Sequence, residues 1–180
     1  MKFPGKLKIW GSFCAGIAVL VAFALPSYRQ GEASIAGRTA EDFSMEMNGK
    51  PMKLSGYRGK VVVLNFWASW CPPCVAETPS LNNLQTRIEQ RGGMVLGVDV
   101  DEDPQAYQKF LTVHGVVFPT WRDPSVKGTT SQVALDYGTS VYPETYVIDR
   151  RGKITRKIIG EQQWDSPEMT AYFDSLLAEK

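Results

Sequence analysis

The chain is poor in the residues that hold metal ions. Its 180 residues include three cysteines and a single histidine, His114. A structural zinc site needs about four Cys, His or carboxylate ligands. The one CxxC, from Cys71 to Cys74, has no second pair at the spacing that signals such a site, and Cys14 lies in a different part of the chain. We therefore expect no metal site.

The chain also lacks a dominant charge of either sign. It has 20 Lys and Arg residues against 19 Asp and Glu residues, which is a formal net charge of +1. Because nucleic-acid binding usually depends on a concentrated basic surface, we expect no nucleic-acid partner. A GxGxxG motif after a predicted strand is missing as well, so we expect no nucleotide or flavin cofactor.

One long apolar run, residues 9–25, follows three lysines among the first eight residues. A basic segment followed by an apolar segment is typical of a chain inserted in the membrane with its N-terminus in the cytoplasm. Residues 1–26 are either a removable signal peptide, with an A-x-A-like cleavage site at residues 22–24, or an uncleaved membrane anchor. Pro26 argues against cleavage there and favours the anchor. We expect a protein anchored in the cytoplasmic membrane, with its folded domain in the periplasm or outside the cell.

Residues 27–40 are small and polar, which predicts a linker, and residues 41–180 have the pattern of one domain. Within this domain, the continuous apolar and β-branched run of residues 60–67 predicts a central strand buried on both faces. A second such run, residues 94–100, follows a helical pattern. The two strands should therefore be parallel.

Local signals predict the remaining elements. Apolar and polar residues alternate around Asn48 and Gly49, which predicts a hairpin. Pro79 is expected to kink the first helix or split off its first turns. The other predicted elements are helices at 104–113, 129–138 and 165–180, a short strand within 115–123, and two antiparallel strands within 144–160. This order predicts an α/β fold with a mixed central sheet flanked by helices.

Cys71 falls where the central strand gives way to a helix. Unpaired N–H groups and the dipole at a helix N-terminus favour an anion, so the pKa of a cysteine there falls and its thiolate becomes a nucleophile. Pro72 and Pro73 suit the first turn but remove N–H donors, so we expect a more reducing pair. Cys74, one turn along, should be more buried and can resolve a mixed disulfide. This role requires an exposed Cys71 sulfur.

The alternative to redox chemistry is an inert structural disulfide between Cys71 and Cys74. A loop so short restrains almost nothing in the unfolded chain, so such a bridge would add little stability. The strand-to-helix setting therefore favours redox chemistry.

Two stretches carry a family resemblance: VVVLNFWASWCPPC, followed by a Glu and a Pro, and YPETYVID. Over residues 41–180 the chain resembles the thioredoxin superfamily and, within it, the membrane-tethered TlpA/ResA/CcmG-like thiol–disulfide oxidoreductases of cytochrome c maturation. The resemblance implies a thioredoxin-like fold with an N-terminal hairpin and a central αβ insertion. It also implies that Cys71 attacks, that Cys74 resolves, and that Pro143 is a cis-proline beside them.

Further residues refine this placement. Cytoplasmic thioredoxins have a buried aspartate where this chain has Asn65, so their usual proton acceptor for the second thiol is missing. Glu77 matches an acidic position of the membrane-tethered group and can accept a proton from Cys74 if burial raises its pKa toward neutrality. The alternative for Glu77 is a solvated helix residue.

Three residues are candidates for contact with the substrate. Trp70, next to the first cysteine, is expected to form part of a docking surface, and Tyr142 precedes the implied cis-proline. Glu144 matches the PET motif of the CcmG-like branch and is expected to add negative potential near the site. The alternative for Glu144 is an ordinary charge at a strand edge.

These observations predict an exported thiol–disulfide oxidoreductase that reduces disulfides in client proteins such as apocytochrome c, with electrons from an inner-membrane donor. The resemblance alone implies this client. Two alternatives stay open: a general periplasmic disulfide oxidant or isomerase, and a non-catalytic module that binds apocytochrome or haem. Peroxide reduction has no support in the sequence.

Overall fold

The computed structural model describes residues 35–47 and 49–179. Its first strands, β1 (Ser44–Met47) and β2 (Lys50–Lys53), form an antiparallel pair, so the predicted hairpin is confirmed. The predicted signal or anchor at residues 1–26 and most of the linker lie outside the described residues. Within them, no helix combines the length and the apolar character needed to cross a lipid bilayer.

The central sheet is built around β3 (Val61–Trp67), every residue of which is buried, as its apolar run predicts. The other strands are β4 (Gly93–Asp99), β5 (Thr120–Arg122), β6 (Glu144–Ile148) and β7 (Ile154–Ile159). The strand order is β5-β4-β3-β6-β7. β4 runs parallel to both β3 and β5, whereas β6 is antiparallel to both β3 and β7. The predicted mixed sheet is confirmed.

Helix α1 (Pro72–Ile88) makes the crossover between the two parallel strands β3 and β4. Leu81, Leu84 and Ile88, spaced three and four residues apart, are all buried on one face of this helix. Pro79 lies inside the helix without splitting off its first turns. A short 3-10 turn follows the helix before β4 begins.

The other α-helices of residues 35–47 and 49–179 are α2 (Pro104–Val113), α3 (Gln132–Asp136) and α4 (Pro167–Ala178), at the predicted places. The predicted strand within residues 115–123 is shorter than its apolar pattern, since β5 starts only after Pro119. Proline has no N–H to give to a strand ladder, which accounts for this boundary.

Each face of the sheet has its own core, because side chains alternate between the two faces along a strand. One face carries the hairpin and α3, and its core includes Leu64, Phe66, Leu96, Trp121, Tyr137 and Tyr146. The other face is covered by α1 and α4, with Val63, Leu84, Val95, Val147, Trp164 and Phe173 in its core. A third cluster, at the carboxyl ends of β3 and β4, contains both cysteines of the CxxC. Functional sites in sheets with parallel strands tend to form at this edge.

Candidate active site

The two cysteines lie where β3 ends and α1 begins. Cys71 is the N-cap residue of the helix, and its sulfur accepts a hydrogen bond from the backbone N–H of Cys74 at 3.3 Å. Proline occupies the first turn of the helix, where a missing N–H leaves no intrahelical partner unsatisfied. The cysteines form a disulfide with their Cα atoms 5.3 Å apart. The predicted position at the helix start is confirmed.

Both cysteines are buried, so the expectation of an exposed Cys71 sulfur is wrong for the disulfide form. Cys71 is 4% exposed and Cys74 is 2% exposed. The reason is that apolar side chains from several elements converge on the disulfide, namely Trp67, Ala68, Val100, Tyr107, Phe110 and Val126. The large exposed side chain beside the disulfide is Trp70, which is 50% exposed.

The loop between β3 and Cys71 is held by an aspartate that follows β4. The backbone N–H of Ser69 donates to Oδ2 of Asp101 at 2.8 Å, and the Ser69 hydroxyl donates to Oδ1 at 2.9 Å. The N–H of Val100 also donates to the carbonyl of Trp67 at 2.9 Å. Sequence reasoning missed Asp101, although an acidic cluster directly after a buried parallel strand was a usable signal.

Glu77 is 2% exposed, which excludes the solvated alternative. Asn65 Nδ2 donates to its Oε1 at 2.9 Å, while Trp164 Nε1 and the Gln162 backbone N–H donate to its Oε2 at 3.0 and 3.1 Å. Burial raises the pKa of Glu77 to about 7, and these hydrogen bonds to the carboxylate oppose part of that rise. Because Glu77 lies three residues after Cys74 in α1, the two side chains share one helical face.

Asn65 links this carboxylate to the sheet. Its side chain is 1% exposed, and Nδ2 donates both to Glu77 Oε1 and to Thr145 Oγ1, each at 2.9 Å. Asn65 and Thr145 are register partners on β3 and β6. Sequence reasoning singled out Asn65 and Glu77 but missed Thr145 and Trp164, because no local pattern links residues so far apart along the chain.

Trp70 and Tyr142 face each other beside the disulfide. Their rings make an edge-to-face contact with centroids 5.8 Å apart. Both line a groove of about 610 Å³, together with Thr129, Thr130, Ser131, Leu135, Thr139, Ser140 and Val141. Leu135 and Val141 are about half exposed, at 53% and 49%. The peptide bond from Tyr142 to Pro143 is cis, as the resemblance implies.

Glu144 is not on this surface, and its expected contact with the substrate needs correction. The residue is 2% exposed, and its Oε1 lies 2.7 Å from the ammonium of Lys157. The hydroxyls of Thr139 and Tyr146 also donate to this oxygen. Since residues alternate along β6, Glu144 faces away from Thr145 and therefore away from Glu77. Lys157 offsets the negative potential that Glu144 was expected to add.

This arrangement suits thiol–disulfide exchange coupled to proton transfer. A disulfide at a helix N-terminus can cycle through a thiolate, and a carboxyl group with a pKa of about 7 can hold or release a proton at neutral pH. No three His, Cys, Asp or Glu side chains of residues 35–47 and 49–179 are grouped so as to hold a metal ion.

Comparison with known proteins agrees with this chemistry. Residues 36–157 match the model of the AhpC/TSA family. The thiol-disulfide oxidoreductase ResA of Bacillus anthracis is 35% identical over 127 residues, 70% of each chain. ResA of Geobacillus thermodenitrificans is 37% identical over 129 residues, 71% of each chain. A crystal structure assigned as the thiol:disulfide interchange protein DsbE of Chlorobium tepidum has a TM-score of 0.71 and 31% identity, and the match covers 79% of this chain and 98% of that one.

Proposed function

The chain belongs to the AhpC/TSA family and is a thiol–disulfide oxidoreductase, and from this premise we propose that it reduces disulfides in exported client proteins. The observation that carries the proposal is the buried carboxyl of Glu77 one helical turn from Cys74. Such a group can accept the proton that Cys74 must lose before it attacks. It gives the second cysteine a defined task in releasing a client.

The proposed reaction consists of two exchange steps. The thiolate of reduced Cys71 attacks one sulfur of the client disulfide, which forms a mixed disulfide and releases the other client sulfur as a thiolate. Cys74 passes its proton to Glu77 and attacks Cys71, which releases the second client sulfur. The first client thiolate takes its proton from water, which had received the proton of Cys71, and the second takes the proton that Glu77 gives up. The client has then gained two electrons and two protons as a dithiol, and the chain is left with its Cys71–Cys74 disulfide and an ionised Glu77.

The groove beside Trp70 and Tyr142 is the proposed docking site for the client. Half-exposed apolar side chains surround it next to an otherwise buried disulfide. Aromatic side chains of this kind often contribute most of the affinity at interfaces. Pro143, which the resemblance places beside the dithiol, adjoins this groove through Tyr142. We extend the proposal to Pro143, whose replacement should weaken client binding or trap mixed disulfides.

The proposed client is the haem-attachment CxxC of an apocytochrome c, and the proposed electron source is an inner-membrane thiol donor. The resemblance to the cytochrome c maturation group supports the client. The basic and apolar pattern of residues 1–26 supports a membrane anchor, with the domain in the periplasm or outside the cell. The pair of prolines after Cys71 supports a reductant, because prolines offer no N–H to stabilise its thiolate.

Trapping tests this proposal directly. Cys74→Ser should hold an oxidised apocytochrome c peptide as a mixed disulfide on Cys71, whereas Cys71→Ser should hold none. A non-catalytic binding module would bind the peptide equally well in both variants and form no covalent adduct.

A measured reduction potential separates a reductant, near thioredoxin's roughly −270 mV, from a strong oxidant near about −120 mV. A value near the latter would overturn the proposed direction of electron flow.

A further inference from the structure

The segment of residues 162–165, between β7 and α4, is attached to α1 beside Glu77. Trp164 is fully buried, and its backbone N–H donates to Ser80 Oγ at 3.2 Å. Its ring packs against Phe173 of α4, with centroids 6.4 Å apart. One residue further on, Asp165 accepts a hydrogen bond from Asn83 of α1 at 2.7 Å. The indole of Trp164 is therefore held in one place relative to the carboxyl of Glu77.

The two oxygens of Glu77 have unequal surroundings. Oε2 accepts hydrogen bonds from Trp164 Nε1 and from the Gln162 backbone N–H. Oε1 accepts one hydrogen bond, from Asn65 Nδ2. A carboxylate oxygen has two lone pairs, so two donors occupy Oε2 fully and leave Oε1 with capacity for a proton.

We propose that Trp164 is a positioning residue for proton exchange between Cys74 and Glu77. Its indole N–H, with the N–H of Gln162, occupies Oε2 and directs the exchanged proton to Oε1, the oxygen beside Asn65. This inference rests on the proposed function in one respect, namely that Glu77 is the acceptor for the Cys74 proton. Trp164 acts through Glu77 and touches no reacting sulfur in this scheme.

The same geometry gives a reason for an amide at position 65. An amide group carries both donors and an acceptor, so after rotation Asn65 can bond to Oε1 in either protonation state of Glu77. The hydroxyl of Thr145, the other partner of Asn65, can likewise donate or accept. An ionised aspartate at this position would offer acceptors only and would repel the Glu77 carboxylate.

Few titratable groups of the described part of the chain act on Glu77, which makes a pH experiment interpretable. Cys74 lies on the same helix, and Glu161, before the 162–165 segment, raises the pKa of Glu77 by charge repulsion. β3 and β6 contribute Asn65 and Thr145, which do not titrate. In the disulfide form Cys74 does not titrate either, so the Glu77 titration can be followed without interference from the Cys74 thiol.

The first test is an NMR titration of the disulfide form of Trp164→Phe, which keeps an aromatic ring and removes the N–H donor. The carboxyl carbon of Glu77 should titrate about one pH unit above its wild-type value, as expected for a lost charge-assisted hydrogen bond. In the reduced variant, which keeps Cys74, the pH profile for release of a client from its mixed disulfide with Cys71 should shift upward by the same amount. Trp121→Phe, in the core on the other face of the sheet, is the matched control and should shift neither curve.

The second test does not depend on the Trp164→Phe variant. In the wild-type disulfide form, the Trp164 indole N–H resonance should move with the Glu77 titration, and Glu77→Gln should abolish this movement. An indole resonance that stays constant while Glu77 titrates would overturn the inference, as would unchanged pH profiles in a folded Trp164→Phe protein. Neither result would affect client trapping by Cys74→Ser, so failure of the inference is distinct from failure of the proposed function.

Discussion

The carboxyl groups of Asp99 and Asp101 lie side by side in the interior at the end of β4. Asp99 is 0% exposed and Asp101 is 2% exposed. The N–H of Asp101 donates to Asp99 Oδ2 at 3.3 Å, whereas Asp99 Oδ1 is buried and has no hydrogen-bond partner among the described residues. Burial, with the neighbouring Asp101 as a smaller cause, raises the pKa of Asp99 to about 9. At neutral pH Asp99 therefore carries a proton, and Asp101 is free to hold the Ser69 loop.

Asp99→Asn should stabilise the protein at alkaline pH. Between about pH 4 and 9, folded Asp99 binds a proton that the unfolded chain has lost, so the free energy of unfolding falls as the pH rises through this range. Asparagine cannot ionise, and its side-chain oxygen can still accept the hydrogen bond from the Asp101 N–H. In denaturant titrations, the free energy of unfolding of the variant should exceed that of the wild type by at least about 1 kcal/mol at pH 8. Near pH 4 the two values should be equal. An equal gain in unfolding free energy at both pH values would contradict this prediction. Asp136→Asn, on the surface of α3, is the control.

Asp101→Ala should loosen the loop that precedes Cys71. The change removes the acceptor for both the Ser69 N–H and its hydroxyl, which should cost about 1–3 kcal/mol of unfolding free energy. Hydrogen exchange of the Ser69 amide should accelerate more than the global loss of stability explains. Ser69→Ala keeps the hydrogen bond from the backbone N–H of residue 69 to Asp101, so it should lower stability and accelerate exchange less than Asp101→Ala does. Unchanged exchange at Ser69 would mean that Asp101 does not hold the loop.

Glu77→Gln should slow the release of a client from its mixed disulfide with Cys71. The variant has no carboxylate to take the Cys74 proton, so resolution of a mixed disulfide at pH 7 should fall by about 100-fold, and the step near pH 7 in its pH profile should vanish. Stopped-flow measurement of client release across pH checks both points. Glu161→Gln removes a nearby charge without removing the acceptor and should retain the step. Identical thiol titration curves in Glu77→Gln and the wild type would remove Glu77 from the mechanism.

Trp70→Ala should separate docking from chemistry. The loss of a half-exposed indole next to the disulfide should lower kcat/KM for a protein client about tenfold. The rate of exchange with a small aromatic disulfide should stay within about twofold of wild type, because the cysteines and Glu77 are untouched. Val113→Ala, at an exposed position of α2, is the control. An equal loss on both substrates would place Trp70 in the chemistry instead of the docking surface.

Lys157→Met should destabilise the fold without altering the redox site. It leaves the buried Glu144 carboxylate without its cation, which should cost about 3 kcal/mol in denaturant unfolding. Lys153→Met, at a surface position bonded to Thr39, should cost much less. The double variant Lys157→Met with Glu144→Gln should regain stability. A change in thiol exchange rates that survives in this double variant would contradict the placement of Glu144 away from Glu77.

Much of the fold could be predicted from local sequence. The apolar run at Val61–Trp67 predicts a strand buried on both faces, and the helix capped by Cys71 follows from the prolines after it. The exposure of the site could not be predicted in this way. Cys71 was expected to be open to solvent and is buried, since the side chains that cover it come from separate parts of the chain. Glu144 was expected near the substrate and is ion-paired with Lys157.

The sequence by itself determined the order of helices and strands, the helix-start position of Cys71 and the choice of Glu77 as a candidate proton acceptor. These properties depend on periodicity and on spacings of a few residues, which a linear pattern contains. Only the tertiary structure decided the partners of Glu77 and the burial of the disulfide. Trp164 reaches Glu77 across 87 residues of sequence, and such a contact exists only after the sheet has brought α1 and the segment before α4 together.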